Sequence, residues 1–375
     1  MNTLLKWPGG KSRELRHIKP KMPERFRNYI EPFFGGGALY FSLEENVNHM
    51  IINDLSSELI SFYKCIKNND NNFFDTIRSI NEKWNLINEI SHLLFNDFER
   101  LYREYTNDII TYEEYKERIM EIINNNNNFF QDLVLTFHES SFDSIYHHME
   151  MNIKRKPKYM RKQEEKNGVL NREDLIKNFE TALKSGYYGY IRQLYNTPVN
   201  TFEIGIESAV FYFIREYCYS SMFRYNSNGE FNVPYGGMSY NNKIFSRKID
   251  YISTDLVRNR LNRTDILNLD FEDFLNSVSL SEEDFIFLDP PYDSVFSTYA
   301  ENIFGEVEHR RLADFLSNTN AMFMLVIKST PLIESLYRDT SYWIYDFENE
   351  YLVSFKDRNN KNSQHLLITN YEIDL

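Results

Sequence analysis

Between Asn28 and Ile66 the chain alternates short apolar runs with turns in a way that few folds accommodate. Tyr29-Ile30 reads as the tail of a strand, followed by the turn Glu31-Pro32-Phe33-Phe34-Gly35-Gly36-Gly37. Ala38 to Glu45 has helical character, and His49-Met50-Ile51-Ile52 forms a second strand that ends at Asn53-Asp54. Helical spacing resumes from Ser56 to Ile66. Strand, turn, helix, strand, turn, helix is the opening of a doubly wound α/β unit, in which ligands bind at the carboxyl ends of the strands. The three glycines let the backbone turn tightly and bring amides to the start of the next helix. The turn lacks GxGxxG spacing and is not followed by GKS/T, so NAD and ATP are disfavoured. Asp54, about 20 residues beyond the glycine turn, can accept hydrogen bonds from both ribose hydroxyls of an adenosyl group. Alone, an acidic residue in Asp54's place more often caps a helix or turn than binds a ligand. Together, glycine turn and acidic strand end favour a nucleoside cofactor.

The same rhythm returns from about Lys243. Thr264 to Leu267 reads as a strand, and Asp270-Phe271 opens a short helix, as a cap or as a ligand contact. Phe285 to Leu288 is a buried strand, a helix is expected from about Glu308 to Asn318, and Met322 to Ile327 is a further strand. Trp343 to Phe355 and His365 to Asn370 suggest an antiparallel pair. An α/β domain built from residues 1–70 and 244–375 is therefore interrupted by 71–243. So long a connection inside a compact domain is normally functional.

Within the insertion, the asparagine-rich stretches 68–72 and 124–128 read as loops, and Trp84 to Ile123 is compatible with helix. The polar, basic stretch 150–175 reads as a mobile loop. Ala209 to Tyr217 is an apolar, aromatic helix candidate. Beyond it, Asn228-Gly229 between aromatic flanks signals a β-hairpin over 223–233.

Asp289-Pro290-Pro291-Tyr292 closes the 285–288 strand. Two prolines forbid both continuing the strand and entering a helix at once, which leaves a stiff loop at the sheet edge. Such a loop presents a carboxylate, backbone carbonyls and an aromatic face. These groups suit a flat base bearing an amino group: the carboxylate and a carbonyl accept its two N–H bonds, and the ring stacks on its plane. An exocyclic amine is a poor nucleophile because its lone pair is delocalised. Accepting both hydrogens, on Asp289 and the Pro290 carbonyl, favours a pyramidal nitrogen with its lone pair turned outward. With no metal cluster in the sequence, group transfer to an amine by positioning and electrostatics is the indicated chemistry. A base must leave the duplex stack to enter such a pocket.

Composition bounds the setting. No apolar run approaches the roughly 20 residues a bilayer span needs, and Met1 to Lys11 lacks a signal-peptide core, so a soluble cytoplasmic protein without a membrane partner is expected. Cys65 and Cys218 stand alone, as packing thiols do. The net charge of −13 opposes a nucleic-acid partner at first sight. Yet residues 1–30 carry eight Lys and Arg, namely Lys6, Lys11, Arg13, Arg16, Lys19, Lys21, Arg25 and Arg27, against Glu14 and Glu24. A second basic cluster spans Lys154 to Lys162. Local patches govern phosphate contact more than the sum does.

The blocks Leu5–Lys11, Ile30–Gly37, Ile52–Asp54 with Leu59–Tyr63, Arg224–Gly236 and Asp289–Tyr292 occur in an order that resembles the Dam-type DNA adenine-N6 methyltransferases. The resemblance covers most of 1–70 and 210–375, while 71–205 has little in common with the family's shorter members. It implies a Rossmann-like S-adenosylmethionine-dependent domain with a mostly helical, inserted target-recognition domain containing the hairpin. It implies that Trp7, Lys11, Asp54 and Asp289 contact S-adenosylmethionine, with Glu31, Phe33, Gly35 and Gly37 shaping the pocket and Asp270 and Phe271 beside it. It places Asp289, Pro290, Pro291 and Tyr292 at the target amine. Lys6 and Arg224 match positions that contact bases of duplex DNA, and Arg suits guanine in the major groove. Met222 matches an apolar wedge, with Tyr219, Ser220, Asn226 and Pro234 nearby. Ser220 departs from an asparagine common in close relatives, so a GATC site is not secured.

The resemblance further implies a monomer or weak dimer, and a role in restriction–modification, paired with an endonuclease, or in epigenetic marking. Three alternatives stand beside it: cytosine-N4 methylation, RNA or protein methylation, and a silent DNA-binding module of the same fold. The insertion lengthens the recognised site or is a structural appendage.

Overall fold

The computed structural model describes residues 1–44, 47–135, 137, 141–291, 304–338, 340–350 and 362–373. The chain divides into two compact units, one made of Met1–Asn69 with Ile252–Leu375, the other of Asp70–Tyr251.

The first unit is built on seven strands: β1 (Asn28–Glu31), β2 (His49–Asn53), β3 (Thr264–Leu267), β4 (Phe285–Leu288), β5 (Met322–Lys328), β6 (Trp343–Glu350) and β7 (Asn362–Thr369). They form one sheet in the order β3-β2-β1-β4-β5-β7-β6. The first five are parallel; β7 runs antiparallel to β5 and β6 antiparallel to β7. A mostly parallel sheet carries helices on its faces, which is why β4 and most of β5 are apolar without alternation and buried along their length. The core gathers Ile30, Ile286, Leu288, Phe323, Leu325 and Ile368 of the sheet with Phe274, Leu275, Leu312 and Leu316 of flanking helices. Strand order reverses between β1 and β4, the switch point outside whose carboxyl strand ends doubly wound sheets bind their ligands.

Local chemistry sets the helix starts on that edge. Ser56 caps the Ser57–Lys67 helix by accepting from the Leu59 amide, and Asp270 caps Phe271–Ser277 through the Glu272 amide. The helix after the glycine turn covers Ala38–Ser42, shorter than its apolar pattern suggests; Glu45 lies outside the described residues. Residues 351–355 of the expected terminal strand also lie outside them.

In the second unit the long helices Asn71–Leu93, Phe95–Thr106, Tyr112–Asn125, Ser141–Asn167, Arg172–Tyr195 and Ile204–Tyr217 pack around aromatic side chains. Trp84 lies 4.5 Å from Tyr217, 5.2 Å from Phe213 and 5.5 Å from Tyr235, centroid to centroid. Two loop expectations are corrected here. The stretch 150–175 is largely helical, because Ile145, Met149, Ile153 and Met160 recur at helical spacing and are all buried. Pro157 sits inside that helix. The five-residue asparagine run is helical rather than a loop, broken only at Asn126, with the short Asn127–Gln131 helix after it; of 68–72, residues 68–70 form the expected turn and Asn71 begins a helix capped by Asp70. The expected hairpin takes the form of a chain reversal held by the single bridges Tyr225–Phe231 and Cys218–Tyr235, without a strand ladder. Both cysteines are buried thiols. Among the described residues no helix is long and apolar enough to cross a membrane.

Candidate active site and recognition loop

The carboxyl edge of the first unit collects most of the residues singled out there. Asp289 leaves β4 and forms an ion pair with Lys11, Oδ1 to Nζ at 2.5 Å, and Lys11 also donates to the Gly9 carbonyl at 3.0 Å. Lys11 is only 3% exposed, so this pair sits in low dielectric. Burial pushes the Asp289 carboxyl above the usual aspartate range, and the Lys11 ammonium opposes that rise. Glu31, ending β1, is buried and accepts the Tyr29 hydroxyl at 2.8 Å. Burial drives its pKa well up; the Tyr29 bond works against this, and the charges of Asp289 and Asp54 add to it. The charge of Glu14 also acts on Asp289, so several carboxyls share this edge with the Lys11 ammonium.

Asp54 is the clamp of the glycine turn. Its Oδ2 accepts the Gly35 amide at 2.8 Å and its Oδ1 the Ser56 amide at 2.9 Å. Burial raises its pKa, while the amides of Ser56, Gly35 and Leu55 pull it back. Tyr63 donates to the Gly35 carbonyl at 3.1 Å, so the turn is held from both sides. Gly35 and Gly37 have φ of +50° and +63°, where a side chain is disfavoured. A Cβ at Gly35 would lie 2.8 Å from Trp7 Cδ1, which shows how closely the Trp7 ring lies against the turn. Phe33 packs 5.4 Å from both Phe271 and Phe304. Asp270 caps its helix and pairs with Arg311 at 2.5 Å, so both of its oxygens have partners within the protein. Pro290 is buried and Pro291 exposed; Tyr292 lies outside the described residues.

One organiser of this edge escapes sequence reading. Asn53, at the end of β2, donates to the Pro32 carbonyl at 3.1 Å and the Leu269 carbonyl at 3.0 Å and accepts from the Leu269 amide at 2.8 Å. It ties together the turns after β1, β2 and β3. The motif contains Asn53, but nothing local reveals which turns it joins.

Lys6 is exposed in the first unit, next to Trp7. The other expected base-contacting residues lie in the second unit. Tyr219 is 45% exposed, and its amide donates to the Pro234 carbonyl at 2.9 Å. Ser220 and Ser221 both adopt left-handed backbone, φ 53° and 52°, immediately before Met222. Arg224 is exposed and gripped by Asn232, its Nε donating to Oδ1 at 2.7 Å and Nη2 to the backbone carbonyl at 3.0 Å. Asn226 shapes the reversal: its Oδ1 accepts the amides of Asn228 and Glu230. Arg215, 1% exposed near the end of a largely apolar helix, donates to the carbonyls of Ser221 at 2.6 Å and Met222 at 3.0 Å and lies 3.6 Å over the Phe223 ring. A lone cation within the apolar run 209–217 was the available sequence signal for it.

A family model described as D12 class N6 adenine-specific DNA methyltransferase matches residues 7–170 and 158–351. The chain belongs to that family. It is similar to the type II methyltransferase M.CviBI of Paramecium bursaria Chlorella virus NC1A, 25% identical over 375 residues, covering 99% of this chain and all of the relative. It is also similar to M1.LlaDCHI of Lactococcus lactis subsp. cremoris, 24% identical, covering 98% of this chain and 94% of the relative. A DNA adenine methylase of Haemophilus influenzae is 23% identical over 83% of this chain and 72% of its own length. The chain is thus an adenine-specific DNA methyltransferase, which sets aside the cytosine, RNA, protein and silent-module alternatives. Use of S-adenosylmethionine follows in general terms from membership of a methyltransferase family.

Proposed function

We propose that the β1/β4 switch point holds S-adenosylmethionine and that the Asp289 loop grips the N6 amine of an adenine flipped out of duplex DNA. The observation that carries this reading is the buried Lys11–Asp289 pair beside a glycine turn at the strand-order switch. The residues present fit the cofactor. At Gly35 the Trp7 ring lies where a Cβ would be, so ring and turn form one continuous wall, and an acidic edge suits a donor that carries positive charge. Trp7, Lys11, Asp54 and Asp289 would hold it, with Glu31 to Gly37 forming the wall. When bound, S-adenosylmethionine supplies an electrophilic methyl group on a sulfonium.

The protein's part is to orient the amine. Asp289 acts as an ionised acceptor for one N–H, and the Pro290 carbonyl, fixed by the following Pro291, accepts the other. Lys11 keeps Asp289 ionised despite burial, which ties the grip to the floor of the cofactor site. As positive charge develops on nitrogen, the Asp289 carboxylate stabilises it without reorganisation. Tyr292 stacks on the adenine ring.

The second unit is read as the target-recognition domain, with Arg224 contacting a base, Met222 entering the stack, and Tyr219, Ser220, Asn226 and Pro234 bordering them. The helical face bearing exposed Arg155, Lys158 and Lys162 is assigned to phosphates, since Lys154 and Arg161 are already paired with Glu150 and Asp108. The type II names of the relatives support a restriction–modification setting with a companion endonuclease. A monomer or weak dimer suffices for this chemistry. The test is incubation with unmethylated plasmid and S-adenosylmethionine, followed by mapping of modified bases. N6-methyladenine at one sequence motif is expected; its absence with folded, cofactor-binding protein overturns the reading.

A further inference from the structure

The segment Phe231–Pro234 follows the chain reversal without a continuous strand ladder: the Asn232 amide donates to the Arg224 carbonyl at 3.0 Å and the Pro234 carbonyl accepts the Tyr219 amide at 2.9 Å. The Phe231 amide and carbonyl and the Val233 carbonyl are satisfied instead by one helix face. On the Arg172–Tyr195 helix and its C-cap, Tyr188, Arg192 and Asn196 recur every four residues. Asn196 pairs with the Phe231 backbone in both directions, donating to its carbonyl at 3.0 Å and accepting its amide at 2.8 Å. The Tyr188 hydroxyl and Arg192 Nη1 both donate to the Val233 carbonyl, at 3.0 and 3.2 Å. The spacing is a match of two regular geometries: four helical residues rise about 6 Å, and two extended residues advance about 6.6 Å.

Asn232 lies between the two clamped residues. In extended backbone successive residues direct their N–H and C=O groups to opposite edges, so holding those of Phe231 and Val233 toward the helix turns those of Asn232 the other way, where its amide donates to the Arg224 carbonyl at 3.0 Å. That is where Asn232 holds Arg224 through its Oδ1 and carbonyl. We infer that the Tyr188–Arg192–Asn196 face is a positioning device for base readout: it sets the rotation of the 231–233 backbone, and through Asn232 the plane of the Arg224 guanidinium. The helical insertion is then part of the recognition machinery, and Asn196 is a specificity-determining positioning residue. This inference rests on the proposed role of Arg224 as a base reader.

The test uses the full chain, with substrates that carry the mapped site or single base-pair variants of it. Tyr188→Phe removes one donor while keeping the ring, Asn196→Asp removes the donor to Phe231 while keeping the acceptor, and Asn196→Ala removes both. Loss of preference for the cognate base pair read by Arg224 should be about 10-fold or more for Asn196→Ala and smaller for the two conservative variants. It should appear in KM for DNA and in the cognate-to-variant ratio, with kcat on the cognate site and cofactor affinity little changed. In the double variant Asn196→Ala/Arg224→Ala, the ratio should equal that of Arg224→Ala alone. If Arg224→Ala loses discrimination while Asn196→Ala keeps it, or if the two losses multiply, the positioning role is overturned. If Arg224→Ala itself leaves every ratio unchanged, it is the base-reading assignment beneath it that fails.

Discussion

The proposed catalytic edge of the first unit and the proposed recognition loop of the second are both irregular backbone, yet they are held by different means. At the edge, Glu31, Asp54 and Asp289 stand directly on strand ends, and a parallel sheet with buried faces sets their positions. The turns between them are locked by neighbours close in sequence or on adjacent strands, as Gly35 is by Asp54. The recognition loop has no such sheet. Besides a few backbone bonds across the reversal, residues 218–234 are fixed by side chains of helices reaching to backbone carbonyls, Arg215 from one helix and Tyr188, Arg192 and Asn196 from another. The lesson is about tolerance to change. An edge built on strands keeps its chemistry while surrounding loops vary, whereas a loop held by side chains can be retuned by substitutions that touch no DNA.

The sharpest break in this contrast is Asp289→Ala. Methyl transfer should fall by about 10³-fold, the scale of losing a preorganised charge at the reacting centre, while retention of DNA in a gel-shift or filter assay stays close to wild type. Loss of DNA binding as well would mean that the two regions are not separable.

Next in size is Gly35→Ala. The added Cβ meets Trp7 at 2.8 Å, and φ of +50° suits glycine, so about 1–2 kcal/mol of strain falls on the turn. Cofactor affinity measured by calorimetry should drop about tenfold or more, with base-pair discrimination unaltered. Unchanged affinity would remove the turn from the cofactor site.

Arg224→Ala belongs to the other region and should act in the converse way. It should cost about 1–3 kcal/mol of preference at one base pair and leave cofactor affinity intact. Equal methylation of cognate and variant sites by the wild type would contradict the assignment.

The smallest effect concerns proton balance. Asp289 must be ionised to accept the amine, so single-turnover rate falls as pH drops through its pKa, which burial already raises. In Lys11→Met the opposing ammonium is gone and that pKa rises further. The acid limb of the single-turnover profile, taken at saturating cofactor, should therefore move to higher pH. A shift to lower pH would be incompatible with Lys11 acting on Asp289.

These outcomes map onto what was legible beforehand. The strands at 28–31, 49–53, 264–267, 285–288 and 322–328 could be read from the chain because an apolar run ended by Gly, Asp or Pro is a local signal. The 150–175 stretch was misread because its lysines and arginines dominate composition, while the burial of Ile153 and Met160 at helical spacing depends on partner helices. The hairpin signal at Asn228-Gly229 marked the reversal but not its holding, since Asn-Gly specifies a turn and leaves the partner undetermined.

By itself, then, the sequence determined the α/β class of the first unit, the order of its strands along the chain, and the residue types delivered to strand ends. Strand periodicity and turn chemistry act over a few residues, so they are written locally. Only the tertiary structure decided that Lys11 neutralises Asp289, that Asn53 joins three turns, and that a helix about 40 residues upstream sets the backbone at Phe231 and Val233. Those are contacts between side chains and distant backbone, and their partners are chosen by packing rather than by neighbours in the chain.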